Sequence, residues 1–189
     1  MKRFLSSLVT LLIVFVISSA SLHGEIKLPA IFGNNMVLQQ QTEAAIWGTA
    51  ANNATVKVIT SWNRKSYSTR AGNDGKWKLK VATPSAGGPY ELSISDGTTL
   101  KLNNVMIGEV WVCSGQSNME MPMKGYMNQP VTGSNEAIAT SSNPSIRLFT
   151  VKKTSSLQPL DDFTGSWKNC EPENVSEFSA TAYLSLIHI

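Results

Sequence analysis

A two-residue rhythm constrains this chain more than any other feature. "ATVKVIT" (Ala54 to Thr60) alternates Val56 and Val58 with polar neighbours. "GKWKLKVA" sets Trp77, Leu79 and Val81 between three lysines, and "GPYELSIS" alternates Tyr90, Leu92 and Ile94 with polar residues. Successive side chains of an extended strand point to opposite faces, so each stretch buries one face and wets the other. Asn73-Asp74-Gly75 and Asp96-Gly97 carry hairpin turn chemistry. Short strands at this spacing predict two antiparallel sheets packed as a β-sandwich over residues 25–107.

The character changes near Val105. "VMIGEVWVC" is a longer apolar run, as expected of a strand covered on both faces, and Val110 to Cys113 is its last part. A short helix is expected at Ser134 to Thr140 and a second strand at Ser145 to Val151. A helix opens within Val175 to Tyr183, with Ser176 as its N-cap. Strand, crossover, strand and helix start together predict the front half of an α/β domain over 108–183. The fold class expected is thus mixed: a sandwich followed by a truncated α/β domain. The last six residues, "LSLIHI", fit neither part. One DNA reading of them, CTG TCT CTT ATA CAC ATC, resembles a transposon end used in sequencing libraries. Residues 184–189 are therefore expected to be a non-native tail, a genuine apolar tail being the alternative.

At the other end, "MKRFLSSLVTLLIVFVI" joins two basic residues to an apolar stretch, and small residues follow to about Ala20. This is the layout of a secretory signal peptide, taken as residues 1–22. Its apolar part is short for a stable membrane span. The expected location is periplasmic or extracellular, with a retained anchor or a lipoprotein as alternatives. Removing Lys2 and Arg3 lowers the net charge from +3 to +1. No basic patch remains to suggest a nucleic-acid partner. Cys113 and Cys170 permit a disulfide in an exported protein or are two small buried residues. Only two histidines occur, His23 and His188, so no metal site and no cofactor is expected.

The chemistry concentrates in "GEVWVCSGQSNMEMP", Gly108 to Pro122. Ligands of α/β sheets sit at the carboxyl ends of strands, and Ser117 lies just past such an end. A serine there can project its hydroxyl into a cleft, and the following N–H groups can stabilise an oxyanion. Gly115 permits a tight bend, and Asn118 can cap the helix that follows. Gly, Ser and Asn after a strand are also ordinary turn residues. Ser114 and Cys113 are rival nucleophiles, with Cys113 reading as core. Met119 stands where G-x-S-x-G needs its second glycine, so the usual hydrolase elbow is excluded. Met119, Met121 and Met123 read as packing or groove-lining residues.

The same segment resembles the nucleophile segment of the sialate O-acetylesterase family, carbohydrate esterases related to the SGNH hydrolases. "LPAIFGNNMVLQQ" resembles that family's opening. "IWGTA", "GKWKLKV" and "GGPYELSI" resemble its N-terminal sandwich, and "IRLFTV" and "WKNCEPENVSEFSATAY" its next blocks. The resemblance implies hydrolysis of O-acetyl esters on carbohydrates, most readily 9-O-acetyl groups of sialic acids, through a serine acetyl-enzyme. Acetylxylan esterases stand close by. It implies Ser117 as nucleophile, with its N–H as one oxyanion donor. A second donor is expected around Phe178 to Ala180, centred on Ser179, while Gly115, Gln116 and Asn118 shape the pocket. It also implies a catalytic His and an acidic partner that neither His23 nor His188 can supply, so the chain is expected to be an inactive fragment. A reading from another class is a carbohydrate-binding module in which Trp47, Trp62 and Trp77 stack on sugar rings.

Overall fold

The computed structural model describes residues 25–187; the expected signal peptide, His23 and His188 lie outside them. The first half is strand: β1 (Val37–Gln39), β2 (Glu43–Thr49), β3 (Thr55–Thr60), β4 (Ser66–Arg70), β5 (Lys76–Ala82), β6 (Gly87–Ser95) and β7 (Thr99–Gly108). One sheet runs β1-β7-β6-β3-β4, and β2 pairs with β5 in a second. All pairs are antiparallel except β1 with β7, which run parallel from Val37 opposite Met106 to Gln39 opposite Gly108. The expected purely antiparallel sandwich thus carries one parallel pair. Its two strands lie far enough apart in sequence for the long crossover that parallel pairing requires.

The alternation read from sequence is the alternation of burial. Val56 and Val58 are fully buried, as are Val81, Leu92 and Ile94, with Trp77 and Leu79 beside them. Together with Ile46 and Val105 they form one apolar layer between the sheets. Each such side chain contributes about 1.5–3 kcal/mol on burial. Asp96-Gly97 makes the expected hairpin, with Ser95 opposite Thr99. Asn73-Asp74-Gly75 does not: β4 lies in one sheet and β5 in the other, so this turn carries the chain between sheets. Its chemistry still holds the bend, because the Lys76 N–H donates to Asp74 Oδ1 at 3.1 Å and Gly75 adopts φ +76°.

Gly48 sits where the chain leaves no room for a side chain. It stands opposite Trp77 in the β2–β5 register. The neighbouring Lys27 and Thr49 exchange two backbone hydrogen bonds of 2.9 Å. A Cβ on Gly48 would strike the Lys27 carbonyl oxygen and lie 3.2 Å from the Trp77 ring. The glycine of "IWGTA" therefore admits the Lys27 segment to the edge of β2.

The second half contains α1 (Ser117–Glu120), α2 (Ser134–Ala139), β8 (Asn143–Phe149), β9 (Trp167–Cys170), α3 (Pro172–Glu177) and α4 (Ala180–Leu186). Met123, Leu148, Cys170, Val175, Ala180 and Tyr183 bury a second, smaller core. The expected helix at Ser134 and strand at Ser145 are present, but β8 pairs antiparallel with β9. The two halves are tied together at the Ile31 loop. The Trp167 indole N–H donates to the Ile31 carbonyl at 2.7 Å, and the Ala30 N–H donates to Asp162 at 2.9 Å.

Three expectations change here. Val110 to Cys113 is not a strand, and Val112 is 91% exposed. β1 ends at Gln39, so no strand edge among the described residues lies beside this run, and a strand without a partner leaves its backbone to water. Ser176 is not the N-cap: it sits inside α3, which begins at Pro172 with Glu173 in its first turn, and Ser179 caps α4 instead. α4 also runs past Tyr183 to Leu186, and Leu184 packs on the second core. Among the described residues no helix is long and apolar enough to cross a membrane.

Two pairs of substitutions test this packing by urea unfolding. Ile94→Ala, in the fully buried layer, is expected to cost about 2–5 kcal/mol. Ile59→Ala, on the wet face of β3 and 43% exposed, is expected to cost less than about 1 kcal/mol. Gly48→Ala is expected to cost about 1–3 kcal/mol through overpacking. Gly33→Ala, with nothing within 4 Å of the new methyl, is expected to stay within about 0.5 kcal/mol of the parent. Equal costs within either pair would overturn the assignment of these faces.

Candidate active site

β7 delivers the chain to the site. It ends at Gly108, whose carbonyl accepts from the Gln40 N–H at 2.8 Å. The next residue, Glu109, accepts from Gln39 Nε2 at 2.9 Å and Gln40 Nε2 at 2.7 Å. These two amides, Gln39 first, hold the Glu109 carboxyl below its usual pKa. The Val110 N–H then donates to Gln39 Oε1 at 2.9 Å. Beyond that clamp, Val110 to Gly115 is exposed and makes no regular structure.

Ser117 is the first residue of α1, a single turn preceded by Gln116. Ser117 and Asn118 are exposed. Among the described residues nothing bonds the Ser117 hydroxyl, and the N–H groups of Ser117 and Asn118 have no acceptor. That leaves a hydroxyl and two orphan donors at the start of one helical turn. Gly115 lies close beneath it: an added Cβ would meet Met119 Cβ at 3.3 Å.

What fixes α1 is the segment around Ser179. Met123 N–H donates to the Phe178 carbonyl at 2.9 Å, Lys124 N–H to Ser176 at 3.0 Å, and Ala180 N–H to Met121 at 2.8 Å. This short antiparallel pairing seats the start of α4 against α1. Ser179 Oγ accepts from the Ala182 N–H at 3.2 Å and donates to Met119 Sδ at 3.2 Å. Thr181 Oγ1 donates to the Asn118 carbonyl at 3.0 Å. At the far end of the turn, Tyr126 donates to the Glu120 carbonyl at 3.0 Å, and Lys153 pairs with the Glu120 carboxylate at 2.7 Å.

The structure therefore brings α1 and the Ser179 segment together. It also narrows the second segment. Phe178 gives its N–H to Val175 and Ala180 gives its N–H to Met121, so of the three only the Ser179 N–H lacks an acceptor among the described residues. Thr181 was not singled out by sequence; a hydroxyl two residues after the cap was its only signal. Met123 packs, fully buried, as expected, whereas Met119 serves as an acceptor.

Other candidate residues fall elsewhere. Cys113 is exposed rather than core, because the strand that would bury it does not form. Cys170 is buried and free, so the two cysteines form no disulfide. Burial pushes the Cys170 thiol up, and its Sγ donates to the Ser141 carbonyl at 3.0 Å. Among the described residues no three His, Cys, Asp or Glu side chains gather to hold a metal ion. Trp77 is buried, and Trp62 packs on the core with its indole N–H given to the Ala82 carbonyl at 2.9 Å. Both are thus engaged in packing, whereas Trp47 is 39% exposed and edge-on to Phe32.

No family model matches the chain. It is 30% identical over 192 residues to the mouse sialate O-acetylesterase, covering 95% of this chain and 34% of that protein. The human sialate O-acetylesterase is 31% identical over 156 residues, covering 75% and 29%. The crystal structure of a carbohydrate acetylesterase from Xanthomonas citri superposes with a TM-score of 0.77 at 33% identity, over 84% of this chain and 36% of that one. The chain spans about a third of the length of these relatives. Its mostly β-strand fold resembles that of a carbohydrate acetylesterase, and the curated proteins it is similar to are sialate O-acetylesterases.

Proposed function

We propose that this chain carries the nucleophile half of an exported serine esterase that removes O-acetyl groups from carbohydrates, with 9-O-acetylated sialic acid as the substrate. The observation that carries the reading is the seating of α1 on Ser179 and Thr181, which leaves the Ser117 hydroxyl and the N–H groups of Ser117, Asn118 and Ser179 unpaired among the described residues. Ser117 Oγ attacks the acetyl carbonyl and gives its proton to a base. The oxyanion forms against the N–H groups of Ser117 and Ser179, and Gln116 and Asn118 line the pocket. Collapse expels the sugar oxygen, which takes the proton back from the base. Water then attacks the acetyl-serine, giving acetate and free enzyme.

Among the described residues no base stands against the Ser117 hydroxyl. No histidine stands among the described residues, and Glu120, three residues from Ser117, is engaged by Lys153. Serine without a base is a poor nucleophile. We place the base and its acidic partner in the portion of the relatives that this chain does not span. In that longer protein Val110 to Cys113 becomes the first strand of an SGNH-like α/β sheet, which covers its exposed apolar side chains. The binding-module reading loses ground, because two of its three tryptophans are committed to the core.

Three measurements test the reading. In a protein extended to the relatives' full length, Ser117→Ala is expected to lower the acetylesterase rate by about 10⁶, while Ser114→Ala leaves it nearly unchanged. Near-normal turnover in Ser117→Ala removes the nucleophile assignment. The chain alone, assayed on an O-acetylated sialoside against a Ser117→Ala control, is expected to turn over far below about 1 per second.

Ser179 separates cap from donor. Its φ of −56° and the extended backbone of Phe178 both suit proline. In the extended protein, Ser179→Ala loses the side-chain cap and is expected to cost about 1 kcal/mol of stability with little change in kcat. Ser179→Pro also deletes the N–H and is expected to lower kcat by a further 10²–10³ or so. Equal kcat values in the two variants would exclude this N–H as an oxyanion donor.

A further inference from the structure

The unpaired N–H groups around the site come from two segments far apart in the chain. Ser117 and Asn118 stand in α1, and Ser179 stands at the start of α4. Neither segment can fix the spacing between them alone, so contacts between the two must.

Three contacts do so. Ala180 N–H donates to the Met121 carbonyl at 2.8 Å, beyond the end of the α1 turn. Ser179 Oγ donates to Met119 Sδ at 3.2 Å, through a flexible thioether side chain. Thr181 Oγ1 donates to the Asn118 carbonyl at 3.0 Å. Of the three, this last one reaches the residue next to Ser117, and it grips backbone there.

The Asn118 carbonyl belongs to the planar peptide that joins Asn118 to Met119. The other end of that plane, the Met119 N–H, donates to the Gln116 carbonyl at 2.9 Å. The plane is thus held at both ends, by Gln116 before Ser117 and by Thr181 from across the fold. Thr181 is itself firmly placed. Its neighbours Ala180 and Ala182 are buried, and the Ser179 cap binds the Ala182 N–H at 3.2 Å. A β-branched side chain also has few rotamers to choose from. Its hydroxyl goes to Asn118 and not to a carbonyl of its own helix, so the bond does nothing for α4. Both partners are exposed, so water can replace the donor when it is lost and the bond adds little stability.

We propose that Thr181 is a positioning residue for the acetyl transfer: its hydroxyl sets the spacing between the Ser117 and Ser179 N–H groups by holding the Asn118–Met119 peptide against α4. The inference rests on the reading of Ser117 as the nucleophile. Thr181 forms no bond in the reaction and acts through the two donors it spaces.

The test uses the protein extended to the relatives' full length. Thr181→Val keeps the shape and loses the hydroxyl; it is expected to lower kcat by about 10–100-fold with KM within about twofold of the parent. Thr181→Ser restores the hydroxyl and is expected to stay within about threefold of the parent kcat. The urea midpoint of Thr181→Val is expected to stay close to the parent's, whereas a merely structural role would lower the midpoint and spare the kcat of the folded protein. Thr181→Ala also lacks the hydroxyl and suits a helix better, so it gives the same reading if the valine variant does not fold.

A double-mutant cycle adds a readout specific to spacing. In a Ser179→Pro background one of the two donors is already gone, so the further loss from Thr181→Val is expected to shrink to within about threefold. Parent-like kcat in the valine and alanine variants, no recovery with serine, or the same fold-loss in both backgrounds would each overturn the proposal. Ser117→Ala in the same assay tells two failures apart. An inactive Ser117→Ala beside a parent-like Thr181→Val removes the positioning role alone, and an active Ser117→Ala removes both readings.

Discussion

β7 is the strand on which both halves of the molecule depend. It is hydrogen-bonded on both sides, to β6 along its length and to β1 at its end. Leu102, Val105 and Ile107 are buried in the interior, with the two-residue step broken between Leu102 and Val105 where the β6 register shifts. The parallel β1 pairing ends level with Gly108, where Gln39 and Gln40 close over Glu109. The direction in which the chain leaves the sandwich is thus set by a backbone ladder and a three-residue clamp. Each of those exposed side-chain bonds is modest alone, about 0.5–1.5 kcal/mol, or up to about 3 to a charged group. They act together because the ladder already holds the amides in place.

What was legible in the sequence was whatever a residue decides for itself. Val56, Val58, Trp77, Leu79, Val81, Leu92 and Ile94 announce a face, and the structure buries that face. What was not legible was whatever depends on a partner far away in the chain. Asn73-Asp74-Gly75 specifies a bend, and the bend is there, but turn chemistry does not say which sheet receives the next strand. Val110 to Cys113 is apolar enough for a buried strand, yet apolarity states a preference and supplies no edge to pair with. Serine at 176 and serine at 179 are equally good caps by composition. Pro172 and Glu173 decide between them, because they start an earlier helix that absorbs Ser176.

The candidate site divides in the same way. The Gly-Gln-Ser-Asn cluster was visible as chemistry, and its likeness to esterases pointed to the Ser179 segment. The contacts that join the two were not visible. Met119 looked like packing and became an acceptor, and Thr181 looked like an ordinary helix residue and became the tether of Asn118. Both roles arise from the backbone pairing of Met121–Lys124 with Ser176–Ala180, and main-chain bonds leave almost no mark on side-chain identity.

That pairing also explains an asymmetry around Ser117. Downstream, the turn is fixed by Thr181, Tyr126 and Lys153. Upstream, Val110 to Gly115 has no partner among the described residues after the Val110 N–H. For Ser117 to act in the proposed role both sides must be fixed, because each freely rotating residue keeps roughly 1–2 kcal/mol of conformational entropy that positioning must overcome. Ordering the upstream run requires an edge for its backbone and cover for Val110, Trp111 and Val112. In the proposed function, whatever provides both also stands where it can reach the Ser117 hydroxyl. The burial that fixes the serine and the approach of a base to it are therefore one requirement.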